Sequence, residues 1–109
     1  MRDATEQEIQ KSFLDYLRLK GCIAFKHHST ASTVRGGKAV FFKYGDRGIS
    51  DIIGCTKTGR FLAIEVKRKG GKASVDQVDF IRRVIAQGGI GIITDDLNDV
   101  MAEFESIKK

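Results

Sequence analysis

Apolar residues recur at helical spacing through Ile9, Phe13, Leu14, Tyr16 and Leu17. This stripe predicts an amphipathic helix over residues 5–20. Thr5, with Glu8 three positions later, fits a capping box at its start, and Gly21 suits its end by taking a positive φ. Cys22–His28 reads as a short strand. Ser29–Lys38 is polar, with Thr30, Ser32, Thr33 and Gly36-Gly37, and reads as a loop of the length that often touches a ligand. Ala39–Lys43 reads as a brief apolar strand and Tyr44–Gly48 as a turn. Asp51–Cys55 and Arg60–Arg68 are two further strands. The tight connection Thr56-Lys57-Thr58-Gly59 makes them an antiparallel hairpin. Ser74 caps a second helix carrying Val75, Val78, Phe80, Ile81, Val84 and Ile85, which ends at Gly88-Gly89. Ile90–Thr94 is apolar up to its last residue, the pattern of a strand buried on both faces. A last helix, over about residues 96–107, carries Leu97, Val100, Met101, Phe104 and Ile107.

The helix between Arg68 and Ile90 permits a parallel crossover. The order therefore predicts one α/β domain over residues 1–109, a mixed central sheet with helices on both faces. The length of 109 residues and the 41% hydrophobic content allow a real but thin core, which a partner subunit would help. The absence of proline excludes collagen-like and proline-rich linker chains. No apolar run is long enough to span a membrane, and the N-terminus has no continuous apolar stretch of the signal-peptide kind. Cys22 and Cys55 lack metal-like spacing, so both are expected as free thiols in a reducing cytoplasm.

The net charge is +5, and its distribution says more than its total. Lys57, Arg60, Lys67, Arg68, Lys69 and Lys72 are opposed within their window only by Glu65, and Arg35, Lys38, Lys43 and Arg47 form a second cluster. The end of the chain is acidic, with Asp95, Asp96, Asp99, Glu103 and Glu105. A basic middle of this kind points to a polyanionic partner, against the plainer reading of a solvated surface.

Candidate chemistry lies in Ala63-Ile64-Glu65-Val66-Lys67. Strand alternation sends Leu62, Ile64 and Val66 into the core, and Ala63, Glu65 and Lys67 to the other face. The hairpin partner supplies a second carboxylate, Asp51, within reach of the same coordination shell. Two carboxylates alone in a half-buried site would repel and raise a pKa. A divalent cation removes that penalty, binds hard oxygen ligands and keeps open water positions, as metal-assisted phosphodiester hydrolysis requires. The plain alternative is an ordinary surface ion pair of Lys67 with Glu65 or Asp51.

Three stretches together resemble a known family: Gly48-Ile49-Ser50-Asp51-Ile52-Ile53-Gly54, Phe61-Leu62-Ala63-Ile64-Glu65-Val66-Lys67 and Ser74-Val75-Asp76-Gln77-Val78-Asp79-Phe80. With Glu6-Gln7-Glu8-Ile9-Gln10 before Gly21, and Gly88-Gly89 before the last strand, they are similar to the PD-(D/E)xK nuclease superfamily. Within it they resemble the small stand-alone VRR-NUC domains of phages and bacteria. Ser50 stands where many members carry proline, a position that shapes the turn and does not bind metal. Ile81-Arg82-Arg83 differs from the triplet that names the family. The resemblance implies a restriction-endonuclease-like α-β-β-β-α-β core. It implies that Asp51 and Glu65 hold Mg²⁺ or Mn²⁺ with the backbone carbonyl of Val66, that Lys67 orients the attacking water and stabilises the phosphate charge, and that Gln77 holds water or phosphate at the edge of the site. It also implies an acidic residue of the first helix that serves the metal directly or through water. Glu6 is preferred, on the stripe 6, 10, 13 and 17, with Glu8 and Gln10 as rivals. The implied activity is cleavage of DNA, branched DNA and four-way junctions in particular, by a homodimer that leaves a 5′-phosphate. Arg35, Lys38, Lys43, Arg47, Lys57, Arg68, Lys69 and Lys72 would hold the DNA backbone.

Other residues read more plainly. Adjacent strand neighbours face opposite ways, so His27 and His28 do not both reach one metal, and a phosphate contact or a plain surface is favoured for them. Phe42 and Tyr44 suit core packing or a dimer interface better than base stacking. Gly36-Gly37 lacks the Gly-Lys-Ser/Thr of a phosphate loop. Cys55 reads as a small buried hydrophobe, and the last helix as partly core and partly interface. Rival functions are a flap or nicking nuclease with the same site, a DNA-binding module that does not cut, and a small α/β protein with a surface salt-bridge cluster.

Overall fold

The computed structural model describes residues 4–27, 32–33, 39–40 and 48–107. The elements run α1 (Glu6–Leu19), β1 (Ile23–Lys26), β2 (Ser32–Thr33), β3 (Ala39–Val40), β4 (Ile52–Cys55), β5 (Phe61–Val66), α2 (Val75–Ala86), β6 (Ile90–Thr94) and α3 (Leu97–Ile107). The expected Thr5/Glu8 capping box forms, and Ser74, expected as a cap, forms a second box with Gln77. Thr5 and Glu8 bond each other's backbone N–H at the start of α1, and Ser74 and Gln77 do the same at α2. Each box satisfies two helix-end donors that would otherwise lack partners. Gly21 ends the first helical segment at φ +83°, a conformation that costs glycine nothing.

The main sheet has the strand order β1-β4-β5-β6. β4 pairs antiparallel with both β1 and β5, and β5 pairs parallel with β6. The parallel pair is joined through α2, as a crossover requires. This is an α/β fold with a mixed central sheet flanked by helices, consistent with a restriction-endonuclease-like core. Phe13, Leu14 and Leu17 of α1 and Val100 of α3 pack with Ile52, Leu62, Ile64 and Val66 on one face. Ala63 packs with Ile81 and Val84 of α2 on the other. The predicted alternation of β5 is therefore the one observed. Side chains such as Phe13, Leu17 and Leu62 are fully buried, each contributing roughly 1.5–3 kcal/mol of hydrophobic stabilisation.

Three expectations are corrected. The polar stretch read as a loop contains β2, which pairs with β3 in a separate two-stranded sheet. Two residues are too few to show a strand period, and Ser29–Lys38 therefore looked structureless. β6 is an edge strand among the described residues, and it is not buried along both faces: Ile90 is buried, but Ile93 is 36% exposed. Cys55 is only half-buried, and Cys22 is the buried thiol. The last helix completes the core, with Val100 fully buried and the Phe104 ring edge-on to Tyr16 at 6.0 Å.

Candidate metal centre

The β4–β5 register pairs Ile52 with Ile64. One step further along the same ladder sets Asp51 opposite Glu65, on the face that carries Ala63 and α2. Asp51 Oδ2 accepts a hydrogen bond from the Val66 N–H at 3.0 Å, which fixes its carboxylate against β5. Glu65 lies on the central strand between β4 and β6 and is 1% exposed. Neither of its carboxylate oxygens has a hydrogen-bond partner. Lys67, on the same face two residues on, holds its Nζ 3.6 Å from Glu65 Oε2. The Lys67–Glu65 ion pair of the plain reading is therefore present, but its carboxylate is enclosed and not on the surface.

Burial, then the hydrogen-bonding proximity and charge of Asp51, push the Glu65 carboxyl up to about 8, while Lys67 pulls the other way. A lone proton shared by two carboxylates meets the electrostatics only in part, and Lys67 approaches Glu65 no nearer than 3.6 Å, beyond hydrogen-bond distance. A hard divalent cation would meet both deficits. Asp51, Glu65 and the Val66 carbonyl are the donors that fit it. Among the described residues no three His, Cys, Asp or Glu side chains gather as a metal cluster, so Glu6 does not join the pair as a third carboxylate. Glu6 is half-buried on the α1 stripe with Gln10, Phe13 and Leu17, and α1 packs on the opposite sheet face. Glu8 is engaged in the capping box, its Oε1 3.0 Å from the Thr5 N–H. Gln10 is buried.

Gly48 places the first turn of α2 beside the site. It sits at φ +77°, and a Cβ there would strike the backbone of Asp76 and Gln77. The loop entering Asp51 thus lies directly against the start of α2. Gln77 is half-buried there, its Oε1 accepting the Ser74 N–H at 2.8 Å, so its amide nitrogen is the part left for a ligand. Arg68, Lys69 and Lys72 are exposed just beyond Lys67, at the same end of the sheet. Lys57 is at the other end, in the hairpin turn against Gly21, roughly 13 Å of strand away at about 3.3 Å per residue. Arg35, Lys38, Lys43 and Arg47, with His28, Phe42 and Tyr44, lie outside the described residues.

Among the described residues, the fully buried side-chain nitrogens and oxygens without a partner are His27 Nδ1, Ser50 Oγ and the two Glu65 oxygens. Buried polar groups are paired in the great majority of cases, and exceptions concentrate where a ligand completes them. Here all of them belong to Asp51's chain neighbour or to residues across the strands from it. Composition and motif spacing gave no sign of His27 or Ser50 in this group. The signal that finds His27 is the β1 register, which needs the sheet order to be read.

The VRR-NUC domain family model matches residues 26–93. No curated protein matches the chain.

Proposed function

The chain belongs to the VRR-NUC family, a nuclease domain of the PD-(D/E)xK superfamily, and from that premise we propose that it is a divalent-metal-dependent DNA endonuclease that acts as a homodimer on branched DNA, four-way junctions in particular. The observation that carries this reading is the enclosed Glu65 carboxylate, which makes no hydrogen bond at normal distance, facing Asp51 with Lys67 3.6 Å away. A protein that only bound DNA would gain nothing from two carboxylates turned toward a polyanion.

Asp51, Glu65 and the Val66 carbonyl would hold Mg²⁺ or Mn²⁺, which when bound would supply positive charge to polarise the scissile phosphate and acidify a water. The chain supplies the rest. Asp51 is held by the Val66 N–H and need not reorganise during the reaction, and rigidity of this kind makes electrostatic catalysis effective. Lys67 donates from its ammonium to the attacking water and to the phosphoryl oxygens as their negative charge grows. Gln77 holds water or phosphate with its amide nitrogen. The water oxygen bonds to phosphorus as the bond to the 3′ oxygen breaks, which leaves a 3′-hydroxyl and a 5′-phosphate. Arg68, Lys69 and Lys72 hold backbone phosphates, which positions DNA without reading its sequence.

The test is a cleavage panel of duplex, flap, splayed and four-way DNA with Mg²⁺ or Mn²⁺. Cutting confined to four-way DNA is expected, and flap or nicked products would reassign the substrate. Asp51→Ala should lower the rate by several powers of ten, and Lys67→Ala by about a hundred- to a thousandfold. Equal cutting by Asp51→Ala would refute the reading.

A further inference from the structure

β1 carries a residue of this site that the two-carboxylate motif does not include. The β1–β4 register ends with Lys26 opposite Ile52. The next step is also made: the His27 N–H donates to the Asp51 carbonyl at 2.7 Å. Ala24 points into the α1 side of the core, so alternation sends Phe25 and His27 to the other face, with Ile53, Asp51 and Glu65. His27, Asp51 and Glu65 thus form one row across three adjacent strands. Directly opposed residues in such a row have Cβ atoms about 4.5–5.5 Å apart. The His27 ring is half-buried, and its Nδ1 is enclosed without a partner. The unpaired Glu65 oxygens stand at the other end of the row.

We infer that His27 is a positioning residue of the metal centre. Its enclosed Nδ1 provides the polar contact on the β1 side of Asp51 for water that enters with the divalent cation. This inference rests on the metal-site reading above. It assigns His27 no direct bond to the ion, in keeping with the lack of a three-residue cluster among the described residues. Groups that hold a metal site's outer contacts typically change metal affinity by about 10–100-fold. A purely structural histidine would behave differently, because removing it would lower stability and leave cation binding alone. Here the ring nitrogen is unpaired in the protein alone, so its removal breaks no internal hydrogen bond.

The experiment is Mn²⁺ titration of the DNA-free protein by calorimetry, alongside thermal unfolding, for wild type, His27→Ala, His27→Asn and Asp51→Ala. Asparagine carries a polar atom near the place of Nδ1. The expected result is at least about tenfold weaker Mn²⁺ binding in His27→Ala, most of it restored in His27→Asn, with metal-free melting temperatures of both close to wild type. If His27→Ala binds Mn²⁺ within twofold of wild type while Asp51→Ala does not bind, the role of His27 is overturned and the metal centre stands. If wild type itself binds no Mn²⁺, both readings fall. A His27→Ala variant that loses stability but keeps its affinity assigns the ring to structure and also overturns the inference.

Discussion

Replacing Glu65 by glutamine tests the physical basis of the site. Burial and the neighbouring Asp51 carboxylate raise Glu65 from its ordinary 4.5 to about 8. In the unfolded chain the group ionises near its ordinary value, so between pH 4.5 and 8 the folded form holds the extra proton. The unfolded state then binds fewer protons, and the free energy of unfolding falls as pH rises through this window. Below 4.5 both states are protonated and the penalty is absent; above 8 it is complete. At 1.36 kcal/mol per pH unit the full penalty is about 5 kcal/mol. Glu65→Gln is neutral throughout and loses this slope. Urea unfolding in EDTA at pH 5, 6, 7 and 8 measures it. Groups remote from the site titrate identically in both proteins, so the difference between wild type and variant isolates residue 65 together with the neighbours coupled to it. The two should have similar stability at pH 5, and the variant should lead by up to about 5 kcal/mol at pH 8. Saturating Mn²⁺ should restore wild type at pH 8 and leave the variant nearly unchanged. Parallel curves for the two proteins would show that Glu65 is not held protonated and would refute the argument.

Cation binding to a protonated pair must displace the proton. Calorimetry of Mn²⁺ binding at pH 7, in buffers of different ionisation enthalpy, should therefore show release of about one proton, and no release would count against the shared-proton state. Ser50→Ala removes an enclosed hydroxyl that has no partner, so it should leave stability unchanged or raise it by about 1 kcal/mol in urea unfolding; a clear loss would mean that the hydroxyl is bonded. Gly48→Ala meets both the positive φ and the backbone of Asp76 and Gln77, and should cost about 1–3 kcal/mol; a urea midpoint equal to wild type would contradict the close approach of that loop to α2.

Much of the frame was legible in the chain because its signals are local. The Thr5/Glu8 box, the Ser74 cap, the helix-ending Gly21 and the alternation of Leu62, Ile64 and Val66 against Ala63 and Glu65 each depend on a few neighbouring residues. Asp51 and Glu65 were also within reach, because a tight hairpin fixes which residues stand opposite. What was missed depends on contacts between distant segments. That β6 is an edge strand follows from sheet order, which no period within Ile90–Thr94 reveals. β2 and β3 are too short for their pattern to be distinguished from a polar loop. In the sequence His27 reads only as half of an adjacent pair with His28, whose rings face opposite ways. Its importance arises only when β1 docks beside β4 and the ladder runs one residue past the strand's end. The depth of Glu65 also lay beyond local reading, because the same Glu-Val-Lys on an edge strand would be a solvated ion pair.

The position of the site explains why its cost is tolerable. β5 is the central strand, buried from Leu62 to Val66, and its hydrophobic face packs with α1 and α3. That side of the sheet binds the strand firmly, so the other side can carry an unpaired carboxylate without letting the backbone move away. The hydrogen bond from Val66 to Asp51 ties the second carboxylate to the same strand. Glu65 is enclosed and cannot swing into solvent, so the pair lowers its repulsion by keeping a proton on Glu65. An incoming cation would displace that proton, and Lys67, beside the pair and 21% exposed, remains where the phosphate of a bound DNA strand would meet it.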